Sequence, residues 1–178
     1  MPSFASLGDP AIAALTNLLL RNVDREAEIR DWEVSHGLRY TTESFREFRD
    51  PEGYPANTPP WGTLSAINLD TGEYAWQIPL GEYPELVARG MKNTGTENHG
   101  GGVVTAGGLF FIGATHYDNK FRAFDKRTGK LLWETVLPYA ANATPAVYQV
   151  AGKEYVAVAA GGGRERASGA LFIAFALP

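Results

Sequence analysis

The chain has 178 residues, of which 44% are hydrophobic and 20% charged, and a formal net charge of −4. That length holds one core, and the mild acidic excess argues against a nucleic-acid binder, which needs Lys and Arg clustered against phosphates. Cysteine is absent, which excludes disulfides, thiolate catalysis, Cys-ligated zinc and covalently attached c-type haem.

The longest apolar run near the start is "AIAALTNLLL", residues 11–20, which is too short to span a bilayer. No Lys or Arg precedes it, so it lacks the basic start of a signal peptide. Asp9 suits a helix N-cap and Pro10 the first helical position. Ile12, Leu15, Leu18 and Leu19 then share one side, which predicts a short docked helix. Residues 21–50 carry six Arg and eight acidic side chains. They read as a solvated helix and connector, with Trp32, Tyr40, Phe45 and Phe48 as candidate anchors to a neighbouring domain. Four Pro between Pro51 and Trp61 mark a rigid loop. The expected division is a helical and irregular segment over residues 1–55, then a repetitive part over 56–178.

From Gly62 onward the pattern is short strands and turns. "GTLSAINLDTGEYAWQIPL" returns as "KFRAFDKRTGKLLWETVL". Ala66, Thr71, Gly72, Trp76 and Leu80 match Ala123, Thr128, Gly129, Trp133 and Leu137, each at an offset of 57 residues. A period of this size points to stacked supersecondary units. Residues 103–105, 109–113 and the two halves of the second copy make strands A, B, C and D of an antiparallel meander. "ATPAVYQV", "KEYVAVAA" and "ALFIAFAL" restart it as A, B and C. "TLSAINLD" and "EYAWQIPL" are C and D of an earlier unit. The predicted fold is mainly β: a partial β-propeller of about two to two and a half four-stranded blades with a short N-terminal helical segment. In the Asp/Asn-x-x-Thr-Gly turn the first side chain caps the backbone, and Gly takes the positive φ. The strand D Trp packs between blades, and the small Ala on strand C leaves room for it.

In such a meander the start of A and the B-to-C loop share one end. That end collects residues 59–61, 98–102, 115–119, 142–145 and 161–166. They are rich in Gly, Asn, His and Trp, and a ligand is expected there. The glycine runs are not nucleotide motifs, since no Gly-Lys-Ser/Thr follows. His36, His99 and His116 show no metal spacing, so no metal site is assigned.

"GYPANTPPWGTLSAINLDTGEYAWQIPLGEYPEL", "NHGGGVVTAGGLFFIGATHYDNKFRAFDKRTGKLLWE", "NATPAVYQVAGKEYVAVAAGGG" and "AFALP" resemble, in order, the C-terminal end of pyrroloquinoline quinone (PQQ) dehydrogenases of the glucose-dehydrogenase-like kind. Their tryptophan-docking repeats build an eight-bladed propeller. The resemblance covers residues 50–178 and implies PQQ as cofactor, with calcium in the complete enzyme. It places Asn98, His99 and Gly100, then Gly162, Gly163 and Arg164, against the quinone. Trp61 is equally open to ligand contact and to packing. Gly102 stands where many relatives have Pro. The family's catalytic base and calcium ligands come from earlier blades and match nothing here, so no catalytic residue is assigned and enzymatic activity stays open.

The resemblance implies the C-terminal portion of an alcohol or sugar dehydrogenase, inactive alone and working in the periplasm or outside the cell. Its partners would be the remaining blades or other copies of the chain, without nucleic acid or a membrane span. "MPSFASLGDPAIAALTNLLL" is similar to the last segment of a fused cytochrome c domain, with Met1 where the haem ligand lies; Met1 as a plain start is the competing reading. The alternative function is a non-catalytic blade module for protein binding or self-assembly, since open meanders expose strand edges.

Overall fold

The computed structural model describes residues 47–162 and 167–176, together with Pro10, Ile12, Ala13, Thr16, Asn17, Asp31 and residues 34–37. Two compact units are present, Met1–Glu47 and Phe48–Pro178. In the first unit Pro10, Ile12, Ala13, Thr16 and Asn17 are helical and exposed; Ile12, expected on the docked side of that helix, is exposed. Leu15, Leu18 and Leu19 lie outside the described residues, as do Met1, Trp32, Tyr40 and Phe45. Phe48 opens the second unit and is exposed.

The second unit is built from three antiparallel sheets. The first pairs β1 (Thr63–Ile67) with β2 (Tyr74–Pro79). A short helix α1 (Pro84–Ala88) follows. The second sheet has the order β3 (Gly102–Val104), β4 (Leu109–Ile112), β5 (Lys120–Asp125), β6 (Leu131–Val136). The third has the order β7 (Ala146–Val150), β8 (Lys153–Gly162), β9 (Ser168–Ala176). This is half a meander, a whole one, and three strands of a third, as the sequence pattern requires.

The turn chemistry explains why the repeat recurs. Asn68 Oδ1 accepts from the Asp70 N–H at 3.0 Å, and Gly72 closes the turn on the Asn68 carbonyl at φ +73°. One unit later, Asp125 Oδ1 accepts from the N–H groups of Arg127 and Thr128 at 2.9 and 3.0 Å. Those donors hold the Asp125 carboxyl below its ordinary pKa, the Arg127 N–H most of all. Ala66 faces Trp76 in register, and Ala123 faces Trp133, so a small residue leaves room beside each indole. The Trp76 ring lies on Gly129 of the next sheet's turn, where any Cβ would come within 2.8 Å of it. Its Nε1–H donates to the Lys126 carbonyl at 3.1 Å. The indole therefore couples one sheet to the next by stacking and by one hydrogen bond.

Two apolar clusters fill the spaces between sheets. Leu80, Ile112, Ala114 and Phe124 are buried with Leu64, Ile78 and Phe110 against them, between the first sheet and the second. Phe121, Leu137, Ala141, Val156, Val158 and Ala160 are buried with Phe111, Tyr139, Val147, Ile173 and Phe175, between the second and the third. Strand β5 is the pivot. Phe121 turns to the third sheet and Phe124 to the first, across a register shift between Ala123 and Phe124.

Candidate functional site

Four loops meet at the end of the sheets where β3 and β7 begin and where β4 and β8 end. Backbone hydrogen bonds tie them in series. Asn98 bridges Thr115, and the His99 N–H donates to the Ala114 carbonyl at 2.8 Å. The Ala114 N–H donates in turn to Ala141 at 2.8 Å, and the Gly162 N–H to Ala140 at 3.1 Å. The segments leading into β3 and β7 are thus stitched to the β4–β5 loop and to the end of β8. Close approach demands small residues. Gly100 sits at φ +115° with its missing Cβ aimed at the Asn142 carbonyl, so both conformation and space require glycine. At Gly102 a Cβ would strike the Phe110 ring and sit 2.7 Å from the Phe111 carbonyl, so no side chain fits there.

Side chains cross the same seam. The rings of His99 and His116 meet edge-on, with centroids 4.6 Å apart. The Asn142 amide nitrogen lies 2.9 Å from the Gly162 carbonyl and 3.1 Å from His116 Nδ1. A carbonyl only accepts, so the Asn142 atom facing it is the NH₂ group, and its second proton goes to His116 Nδ1. His116 is therefore neutral with its proton on Nε2. Burial, and then the neighbouring His99, push its pKa below the ordinary imidazole value. In this tautomer neither ring nitrogen has a free lone pair for a metal, and among the described residues no three His, Asp or Glu side chains form a metal cluster.

A buried ionic network supports the loop that carries His116. Asp118 accepts from the Thr115 hydroxyl, from the Lys120 N–H at 3.0 Å and from the Glu82 N–H at 3.1 Å, and it pairs with the Arg122 guanidinium. Lys120 in turn bridges Glu82 at 2.6 Å and Glu134 at 2.9 Å. Those two partners raise the Lys120 pKa against the opposing effect of burial, which is the largest single influence.

Of the residues expected at the site, Asn98, His99, Gly100 and Gly162 are brought into this one seam. Gly163 and Arg164 lie outside the described residues. Trp61 belongs to an aromatic group: its ring is 6.0 Å from Tyr54 and 5.6 Å from Tyr83, and Tyr83 meets Tyr117 at 4.3 Å. Its indole N–H donates to the Asn57 carbonyl at 2.7 Å, so its polar handle is already used in packing. His116 and Asn142 join the site although sequence reasoning placed only their loops there. The available signal was their position, in a B-to-C loop and at the start of an A strand. The buried Oδ1 atoms of Asn98, Asn119 and Asn142 have no hydrogen-bond partner in the protein. Those oxygens lie beneath the seam, whose outer face presents an exposed imidazole at His99 and a glycine-rich backbone. Such a surface can receive a flat polar heterocycle and hydrogen-bond its edge.

The family model for the glucose/ethanol/alcohol dehydrogenase β-propeller domain, a PQQ family, matches residues 13–156. The glycerol dehydrogenase large subunit of Gluconobacter thailandicus is 45% identical over 116 residues, covering 62% of this chain and 16% of that protein. Quinoprotein glucose dehydrogenase A of Acinetobacter calcoaceticus is 37% identical over 149 residues, covering 80% of this chain and 18% of that protein. Among solved structures, the quinohemoprotein alcohol dehydrogenase of Comamonas testosteroni superposes with a TM-score of 0.51 at 26% identity. That match covers 71% of this chain and 18% of the other. The chain therefore spans only a small part of the length of the relatives it matches.

Proposed function

The chain belongs to the PQQ-dependent glucose/ethanol/alcohol dehydrogenase β-propeller family, and from that premise we propose that it is the C-terminal portion of an alcohol- or sugar-oxidising quinoprotein. It supplies part of the surface that faces the quinone and is inactive by itself. The observation that carries this reading is the seam of loops joined through His99, Ala114, Ala140, Ala141 and Gly162. It gathers Asn98, His99, Gly100 and Gly162, four of the residues the resemblance assigns to the cofactor, at one end of the second and third sheets, away from the plain Asp/Asn-x-x-Thr-Gly turns, which supports the reading.

The residues present fit a planar, carboxylate-bearing quinone. The exposed His99 ring can lie against it, the glycine run beginning at Gly100 gives it a flat backbone, and the Asn98 amide can donate to its edge. PQQ, when bound, accepts the two electrons withdrawn from an alcohol. Oxidation also needs a base for the hydroxyl proton, and no residue of this chain is assigned that role. The complementary blades supply it. They, or other copies of the chain, are the proposed partners, and a cytochrome c domain adjoins the N-terminal segment. The proposed location is the periplasm or the exterior of the cell.

Calorimetric titration with PQQ tests the reading. The chain is expected to bind it saturably without oxidising glucose or ethanol when calcium is added. Gly100→Val should weaken binding at least about tenfold, a loss of ~1.4 kcal/mol, because the new side chain displaces Asn142. Absence of binding overturns the site, and turnover by the isolated chain overturns the claim that its base lies elsewhere.

A further inference from the structure

We infer that Asn142, held in one orientation by His116, is the positioning residue that fixes Gly162 at the end of β8, and that proton uptake by His116 releases it. The argument is one of hydrogen-bond valence. One Asn142 amide group serves two acceptors on different elements, the Gly162 carbonyl at 2.9 Å and His116 Nδ1 at 3.1 Å. A protonated imidazole carries hydrogen on both nitrogens, so Nδ1–H would then face N–H. Turning the amide to offer its oxygen to His116 would set that oxygen against the Gly162 carbonyl. Either response costs the Gly162 contact. Gly162 would then be held only by its own N–H to Ala140 at 3.1 Å and by its pairing with Ser168 at the frayed end of the sheet, next to a register shift.

The surroundings of His116 favour the neutral form that this geometry needs. Among the described residues, the titratable groups that act on it are His99, which disfavours its charge, and Glu97, which favours it weakly. Glu97 is itself paired with Arg49 at 2.7 Å. On its own loop, Asp118 is committed to Arg122 and to backbone donors. His116 thus charges only below the ordinary imidazole value of about 6.5. The unfolded chain takes up this proton first. The stability that neutral His116 contributes is therefore complete above about pH 6.5 and is lost as pH falls from there through the lower native value.

The inference rests on the proposed function in one respect only, that Gly162, held by Asn142, belongs to the quinone's seat. Its test reads the latch without the quinone. In the intact chain, imidazole and amide resonances are followed by NMR between about pH 8 and pH 4.5, spanning the His range. The Gly162 amide is expected to shift and to lose protection from hydrogen exchange about tenfold, with the midpoint of His116. His116→Gln keeps an uncharged acceptor for Asn142 and should abolish the transition while staying folded. His99→Gln should retain it, with a raised midpoint. A Gly162 amide that ignores the His116 titration, or an unchanged transition in His116→Gln, overturns the inference whatever PQQ does.

In a parallel arm, PQQ affinity of the wild type should fall about tenfold from pH 7.5 to pH 5 and that of His116→Gln should not. If PQQ fails to bind at any pH while the Gly162 transition persists, the latch stands and the proposed function falls. If PQQ binds the wild type with pH-independent affinity, the latch has no bearing on the seat, and that link is overturned.

Discussion

Phe121→Ala is expected to destabilise the chain by about 3–5 kcal/mol, the loss typical of emptying a fully enclosed aromatic site. The side chain is wholly buried, lies 5.6 Å from Phe175 and 6.1 Å from Phe111, and meets Trp133 edge-on at 6.3 Å. These rings come from β4, β6 and β9, so no single neighbour can collapse into the gap without breaking a sheet. The same cluster contains Ala141 and Ala160, which lie beside Asn142 and Gly162 in the chain. The cavity should therefore also loosen the loop seam above it. Urea unfolding measures the loss, and a change below about 1 kcal/mol would show that β5 is not the pivot of the packing.

The second large effect is electrostatic. Arg122→Met should cost about 3–5 kcal/mol, because it strands the Asp118 carboxylate in the interior without its cation. Both side chains are almost fully shielded, at 7% and 1% exposure, so water cannot take over. The double change Arg122→Met with Asp118→Asn should recover much of the loss, since an uncharged amide tolerates that environment better. Equal unfolding midpoints for wild type and Arg122→Met would mean the pair is not holding the β4–β5 loop.

The two predictions concern parts of the molecule that the sequence disclosed unequally. The Asp125 turn was legible because its chemistry is local: capping side chain, Thr and Gly lie within five residues, and the pattern occurs twice. Strand order followed from the same repetition, and the Ala66–Trp76 and Ala123–Trp133 register follows once each turn is placed. Helix α1 escaped because five residues, Pro84–Ala88, are too few to show a period. The His116–Asn142–Gly162 chain escaped for a different reason. It joins three separate sequence segments, and Asn or His in a loop has no spacing that distinguishes a latch from a solvated residue. The burial of Arg122 escaped as well, because its partner Asp118 comes from the preceding loop and no local spacing marks the pair.

The central claim is that the loop seam, and not the turn side, receives the quinone. A backbone amide shift map of the chain on addition of PQQ tests it most directly. The account predicts perturbations at residues 98–102, 113–116, 140–145 and around Gly162, with residues 68–72 and 125–129 unmoved. Perturbations confined to those two turns, or spread evenly over the exposed strands, would contradict it.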